Sequence, residues 1–173
     1  MKKFFIKRIS VLSVLALFCI PVSIHAQDGK ISTLEAQYTA TSFEDVKLSG
    51  SYGLAYTILP WEIASSLYVG FHLSPFNFNF GLVDTQVASG IVKLGPALGY
   101  RFSSLFCIAM PVSVVCNIYS IDKKTKTAWG MECSPSLYVG KRFGVFAGPS
   151  MFMGFQGNAK VNFGFRAGIF VSI

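Results

Sequence analysis

Charge is scarce in this chain. Its 173 residues hold 15 Lys and Arg and 8 Asp and Glu, 13% of the total, against 52% hydrophobic residues and a mean hydropathy of +0.52. Few water-soluble secreted domains are so poor in charge. Histidine is scarcer still: His25 and His72 are the only two. No cluster of His, Cys, Asp and Glu has metal-ligand spacing, and no phosphate loop or dinucleotide motif is present. No metal or other cofactor is expected. Long uninterrupted apolar runs are also missing. The stretch 9–20 is too short to span a bilayer as a helix. Residues 104–121 are uncharged, but Pro111 interrupts them, Ser113 and Asn117 are polar, and β-branched residues are frequent. They read as a strand, with a membrane helix as the alternative.

The chain opens with a basic segment, Lys2, Lys3, Lys7 and Arg8, then the apolar run, then Ala26 before Gln27. Charge, core length and a small residue at the cut predict a secretory signal peptide over 1–26. Cys19 is a poor lipoprotein site because bulky Phe18 precedes it. The remainder, 27–173, is about 147 residues, enough for one domain. Four basic residues and no acids leave with the leader, so 11 cations face 8 anions and the net charge drops from +7 to +3. The basic character is thus partly a targeting feature and implies no nucleic-acid partner. Three cysteines remain, Cys107, Cys116 and Cys133, an odd number in an export compartment that permits disulfides.

What the sequence has in abundance is alternation. At the C-terminus, Phe163, Phe165, Ala167, Ile169, Val171 and Ile173 share one parity, and Asn162, Gly164, Arg166, Gly168, Phe170 and Ser172 the other. A side-chain period of two marks a strand with two unlike faces. The pattern recurs over 31–42, 48–59, 62–74, 89–102, 105–119, 128–141 and 144–154, giving eight strands of about 11–15 residues. Soluble strands average about five or six residues, whereas a tilted membrane strand needs roughly nine to eleven. One face is consistently apolar and the other small, polar or charged. This predicts an all-β fold: an eight-stranded antiparallel up-and-down transmembrane β-barrel with its apolar face toward lipid. Closure removes the sheet edges that lipid would not tolerate.

Short turns are expected at 60–61, 103–104 and 141–144, and longer outer links near 43–47, 75–88, 120–127 and 154–160. Tyr100, Phe102, Phe106, Tyr138 and Phe143 cluster beside the short turns, as an interfacial girdle would. Residues 76–84 are either a separate strand or, preferably, part of a hairpin projecting past a bulge at Ser74–Pro75. Pro96, Pro111, Pro135 and Pro149 sit mid-strand at similar height, where local bulges are expected.

These features make 27–173 resemble the small OmpA/OmpX-type eight-stranded outer-membrane barrels. The sharpest local element is a C-terminal assembly signal: polar Arg166, then Gly168, then hydrophobic Val171 and Ile173. Many such proteins end in Phe, so Ile173 is a departure. The resemblance implies residence in a Gram-negative outer membrane and recognition by the barrel-assembly machinery. It also implies contact with outer-membrane lipid and lipopolysaccharide, and a monomeric state.

Parity places Glu35, Lys93, Glu132 and Arg166 in the lumen, with Arg101 near the rim. Glu35 and Arg166 lie at similar height on the closing strands, and Lys93 and Glu132 two strands apart. An ion-pair network plugging the barrel is the favoured reading over a gate or proton path, because eight strands leave little space. Tyr68, Tyr138, Phe152 and Phe170 would fill what remains. His72 and Ser74, with Asp84 further on, loosely resemble the His-x-Ser motif of outer-membrane lipid A deacylases, which carry it late in the chain and use Glu. Cys116 and Cys133 share an outward face and are equidistant from the centre of the lysine loop, so either a disulfide or two reduced thiols fit. Three roles follow. One is a structural or adhesion role through outer contacts with an extracellular protein or lipopolysaccharide, the candidates being Phe76, Phe78, Phe80, Lys123, Lys124 and Lys126. The second is a small porin-like channel. The third and least favoured is a lipid-modifying hydrolase, whose activity would be lost in Ser74→Ala.

Overall fold

A computed structural model describes residues 30–43, 46–80, 89–121, 124–155 and 161–173. The expected signal peptide lies outside the described residues. Nine strand segments follow in order: β1 (Ile31–Phe43), β2 (Val46–Ala64), β3 (Leu67–Phe80), β4 (Ser89–Arg101), β5 (Phe106–Ile121), β6 (Lys124–Cys133), β7 (Ser136–Gly140), β8 (Phe143–Gly154) and β9 (Val161–Ser172). Segments β6 and β7 are two halves of one stave, since both pair with β5 on one side and β8 on the other. The other pairings run β4–β3–β2–β1–β9–β8, and β4 pairs with β5 to close the ring. The result is a closed, antiparallel, eight-stranded barrel. Among the described residues no helix is long and apolar enough to cross a membrane.

The two-residue period sorts the side chains. Glu35, Gln37, Thr57, His72, Ser74, Lys93, Glu132 and Arg166 point inward and are buried. Leu54, Phe71, Leu73, Leu94, Val114, Val145 and Ile169 point outward and are exposed. An apolar exterior around a polar, buried interior inverts the arrangement of a soluble sheet protein and suits lipid. Exposed aromatics gather at both ends of this surface. Trp61, Tyr100, Phe102, Phe106 and Phe143 ring the short-turn end, and Tyr52, Phe78, Trp129 and Phe165 the other. Phe106 starts β5, and Trp129 pairs with Cys116 ten residues along that strand, which is about 25 Å along the axis of a tilted barrel. Of the two places expected for Tyr138, girdle and lumen, it takes the lumen: it shares the inward parity of Ser136 and is buried.

Several sequence expectations are corrected. The turn after β2 falls at Ser65–Ser66, not 60–61. The missing N–H of Pro60 is absorbed by a register slip between Ile58 and Trp61, and the strand continues to Ala64. Ser66 takes a positive φ of 64° there, and its N–H donates to Glu62 Oε1 at 3.0 Å. The outer connections are shorter than expected: β1 reaches Phe43 before β2 starts at Val46, and β5 reaches Ile121 before β6 starts at Lys124. Lys124 and Lys126 therefore lie on a strand, paired with Ile121 and Tyr119, and not in a loop. Lys123 and Asp84 lie outside the described residues. The preferred reading of 76–84 holds for the described part: residues 76–80 are the end of β3, which slips in register around Pro75. The extra residue lets both Ser74 and Asn77 face inward.

The four mid-strand prolines produce gaps and not bulges. Pairing between β4 and β5 lapses after Leu94↔Val114 and resumes at Ala97↔Pro111. Pairing of β5 with the next stave lapses between Val112↔Cys133 and Ala109↔Ser136, and that of β8 between Cys133↔Met151 and Leu137↔Ala147. Register is unchanged across each gap. A strand N–H points to one neighbour only, so a proline removes a rung on one side without adding a residue. Pro96 accordingly keeps its pairing with Phe71, and Pro149 its pairing with Phe165.

Register also decides the cysteines. Cys116 pairs with Trp129 and Cys133 with Val112, four residues apart along the β5–β6 hairpin, or about 13 Å. A disulfide needs Cα atoms within about 7 Å. Of the two readings of Cys116 and Cys133, the register favours reduced thiols, and all three described cysteines are free. The disulfide reading assumed a hairpin centred further along the lysine segment. Reducing agent is expected to leave the gel mobility of the purified protein unchanged.

Candidate functional site

The chemistry-bearing side chains meet in the lumen. At its short-turn end Ile31, Leu59, Tyr68, Ala97, Ala109, Tyr138, Phe146 and Phe170 form one buried cluster. Tyr138 stacks on Phe146 (5.0 Å between centroids, 19° between planes) and meets Phe170 edge-on at 5.5 Å. Gly168 makes room for this packing: a Cβ there would sit 2.7 Å from the Phe146 ring.

Above the cluster lies Glu35 of β1, fully buried. Its Oε1 accepts from Thr33 Oγ1 at 2.8 Å, Thr57 Oγ1 at 2.6 Å and the Tyr138 hydroxyl at 3.0 Å. Its Oε2 accepts from Arg166 Nη2 of β9 in a closed ion pair. Arg166 also donates through Nε to Gln37 Oε1 at 2.6 Å and lies 4.7 Å over the Phe146 ring. Each hydroxyl has one proton. Since Thr57 gives its own to Glu35, its oxygen accepts from His72 Nδ1 at 2.9 Å, which fixes the proton on that nitrogen.

From Gln37 the network continues to β3. Gln37 Nε2 donates to Ser74 Oγ and Asn77 Oδ1, both at 2.8 Å, and Asn77 Nδ2 donates to Ser74 Oγ at 2.9 Å and to the Ile91 carbonyl at 3.0 Å. Ser74 gives its proton to the Leu54 carbonyl at 2.9 Å. Both lone pairs and the proton of this hydroxyl are thereby committed, so His72 and Ser74 share a face without forming a nucleophile–base pair. A second ion pair joins Lys93 of β4 to Glu132 of β6 across β5, with Nζ 2.7 and 2.9 Å from the two carboxylate oxygens. Beyond it Ile91, Val115 and Phe152 form a smaller buried cluster. Thr39 Oγ1, Asn117 Oδ1, Ser150 Oγ and Arg166 Nη1 are the inward polar atoms without a protein partner among the described residues.

The structure thus brings Glu35 to Arg166 and Lys93 to Glu132, and keeps the two pairs separate. Arg101 lies at the rim, donating to the Lys30 carbonyl at 2.9 Å with its guanidinium 5.4 Å over Tyr68. Of the four residues expected to form an assembly signal, Arg166 is buried in the network and Gly168, Val171 and Ile173 are half-buried. Phe78 is exposed on the outer part of β3 and Phe76 half-buried. Sequence reasoning missed Thr33, Thr57 and Gln37 as partners of the charges, and Ser74 and Asn77 as the partners of Gln37. Their inward parity was visible, but only the register across closed staves shows which of them meet. Among the described residues no group of His, Cys, Asp and Glu is arranged to hold a metal.

No protein-family model matches this chain, and no curated protein matches it. Solved structures do. The N-terminal β-barrel domain of Pseudomonas aeruginosa OprF superposes with a TM-score of 0.55 at 10% identity, covering 83% of this chain and 99% of that one. Neisserial surface protein A gives 0.54 at 12% identity, covering 84% and 97%. Ail, the attachment invasion locus protein of Yersinia pestis, gives 0.52 at 9% identity, covering 83% and 97%. Ring closure, an apolar exterior, a polar lumen and these likenesses lead to one conclusion: the chain has the fold of the small eight-stranded outer-membrane β-barrels.

Proposed function

We propose that this protein is an integral outer-membrane barrel with a plugged lumen that acts through the outer ends of its strands as a structural or adhesion-type surface protein. One observation carries the reading: among the described residues the lumen charges Glu35, Lys93, Glu132 and Arg166 are matched in two ion pairs between two buried hydrophobic clusters, which leaves none of the four uncompensated to define a conduction path. A charge-selective pore places rings of charged side chains along a hydrated route. The committed hydroxyl of Ser74 argues against the hydrolase reading.

Surface contact is assigned to the outer part of β3 with Phe76, Phe78 and Phe80, and to the β5–β6 hairpin, where Lys123, Lys124 and Lys126 place three cations within four residues. Such a hairpin suits a polyanion such as lipopolysaccharide. Ail has been solved with sucrose octasulfate, a heparin analogue, at a TM-score of 0.53 and 8% identity to this chain, which supports testing sulfated polysaccharide as well. Arg166, Gly168, Val171 and Ile173 serve as the assembly signal for the barrel-assembly machinery, and the protein works as a monomer.

Planar-bilayer recording tests the plugged lumen. No steady conductance is expected, and open-channel steps of a porin-like pore would favour the channel reading. Replacing Lys123, Lys124 and Lys126 together by Gln is expected to weaken lipopolysaccharide or heparin binding and to flatten its salt dependence. Unchanged binding would remove the hairpin from the proposal.

A further inference from the structure

The end of the barrel opposite the lysine hairpin carries a second basic feature. Lys141 and Arg142 form the turn between β7 and β8, and both are exposed. Gly140 opens the turn with φ of +144°, a conformation that favours glycine. The turn backbone is tied on both sides: Gly140 N–H donates to the Leu105 carbonyl at 2.9 Å. Ser172 N–H donates to the Arg142 carbonyl at 2.8 Å, and Ser172 Oγ to the Lys141 carbonyl at 3.0 Å. Two cationic side chains are thus held next to each other on a fixed base, and neither forms an ion pair among the described residues. At this end the Glu62 carboxylate is engaged by Ser66 N–H, and Arg101 is held by Lys30 and Tyr68.

Directly beside the pair runs an apolar track. Phe143 follows Arg142 and is 69% exposed, and Val145 and Ile169 pair across β8 and β9 and are also exposed. Val139 borders them from β7. A cationic pair at the end of an outward apolar track matches a molecule with an anionic head and an acyl tail. Arginine offers a planar fork to phosphate oxygens, and lysine a point charge. We infer that Lys141 and Arg142 form a binding site for the headgroup phosphate of an anionic phospholipid, with the acyl chain lying along Phe143, Val145 and Ile169. The site selects an anionic lipid over a zwitterionic one, which carries its own cation. This inference rests on the lipid-facing reading of the exterior.

Native mass spectrometry of the purified full-length barrel, released from nanodiscs holding equal amounts of phosphatidylglycerol and phosphatidylcholine, tests it. Wild type is expected to retain phosphatidylglycerol preferentially. The K141Q/R142Q variant is expected to lose about thirtyfold in that preference, as removal of two interfacial cations predicts. The K141R/R142K variant is expected to keep it. Equal retention of both lipids by wild type, or a preference that survives in K141Q/R142Q, would overturn the site. So would loss of the preference in K124Q/K126Q alone, which would move it to the other end. Gel mobility before and after boiling separates the two levels: a heat shift in K141Q/R142Q shows that the barrel is intact and the loss is local. A wild type without a heat shift would overturn the lipid-facing reading and the site with it.

Discussion

Arg166→Met is expected to lower the stability of the barrel by about 3–5 kcal/mol, the cost of removing one partner from a buried ion pair. An exposed pair would contribute only about 0–1 kcal/mol, so the magnitude separates the two situations. Both side chains here are almost fully inaccessible, with Glu35 at 0% and Arg166 at 1% exposure. In the variant, Glu35 keeps three hydroxyl donors but loses its cation, and Gln37 Oε1 loses its donor. The pair also bridges the seam where the ring closes, since β1 and β9 are the first and last staves. Arg166 pairs with Thr39 in the ladder, and its side chain reaches Glu35, four residues along β1. Glu35→Gln should cost less, because an amide oxygen can still accept from Thr33, Thr57 and Tyr138. The double variant should be more stable than the sum of the two losses predicts, because the second substitution removes a charge already stranded by the first. Urea unfolding in lipid vesicles measures all three. An unchanged midpoint for Arg166→Met would show that the pair contributes nothing to closure.

Leu94→Arg is the second large effect. Leu94 is 55% exposed and sits outward between Leu73 and Val114 on neighbouring staves. On a protein surrounded by water, a charge at such a position changes stability by roughly 0.5 kcal/mol or less. At the midplane of a bilayer it costs about 2–4 kcal/mol, falling toward about 0–1 near the interface. Leu94→Arg should therefore impair folding into vesicles, while Phe102→Arg at the rim should be mild. Equal, small effects of both would argue that this face meets water.

The parts of this account that parity alone supplies are the parts the sequence discloses. Glu35, Lys93, Glu132 and Arg166 face inward because each lies on the polar parity of its own strand, and that needs no knowledge of the neighbours. The bulge near Ser74–Pro75 was likewise visible, since a proline followed by alternating Phe76, Asn77 and Phe78 needs a change of phase. Everything that depends on register was harder. Starting β6 at Lys124 moved Cys133 opposite Val112 and abolished the disulfide geometry with Cys116. Pro60 looked like a turn because proline commonly ends strands, yet one slipped rung was enough to carry β2 on to Ala64. The mid-strand prolines illustrate the same limit: that their missing N–H groups leave gaps and not bulges shows only in the constant register of the neighbouring staves. The partners of the charges, Thr57 and Gln37, emerge only once the staves are placed side by side.

The most direct test of the central claim, a closed barrel with its apolar face in lipid, is heat modifiability of the protein from fractionated outer membranes. Unheated and boiled samples are compared on SDS gels. The account predicts that the protein sediments with the outer membrane and migrates differently before and after boiling, because the closed ring of hydrogen-bonded staves resists detergent until heated. Identical mobility, with the protein in the soluble periplasmic fraction, would contradict it.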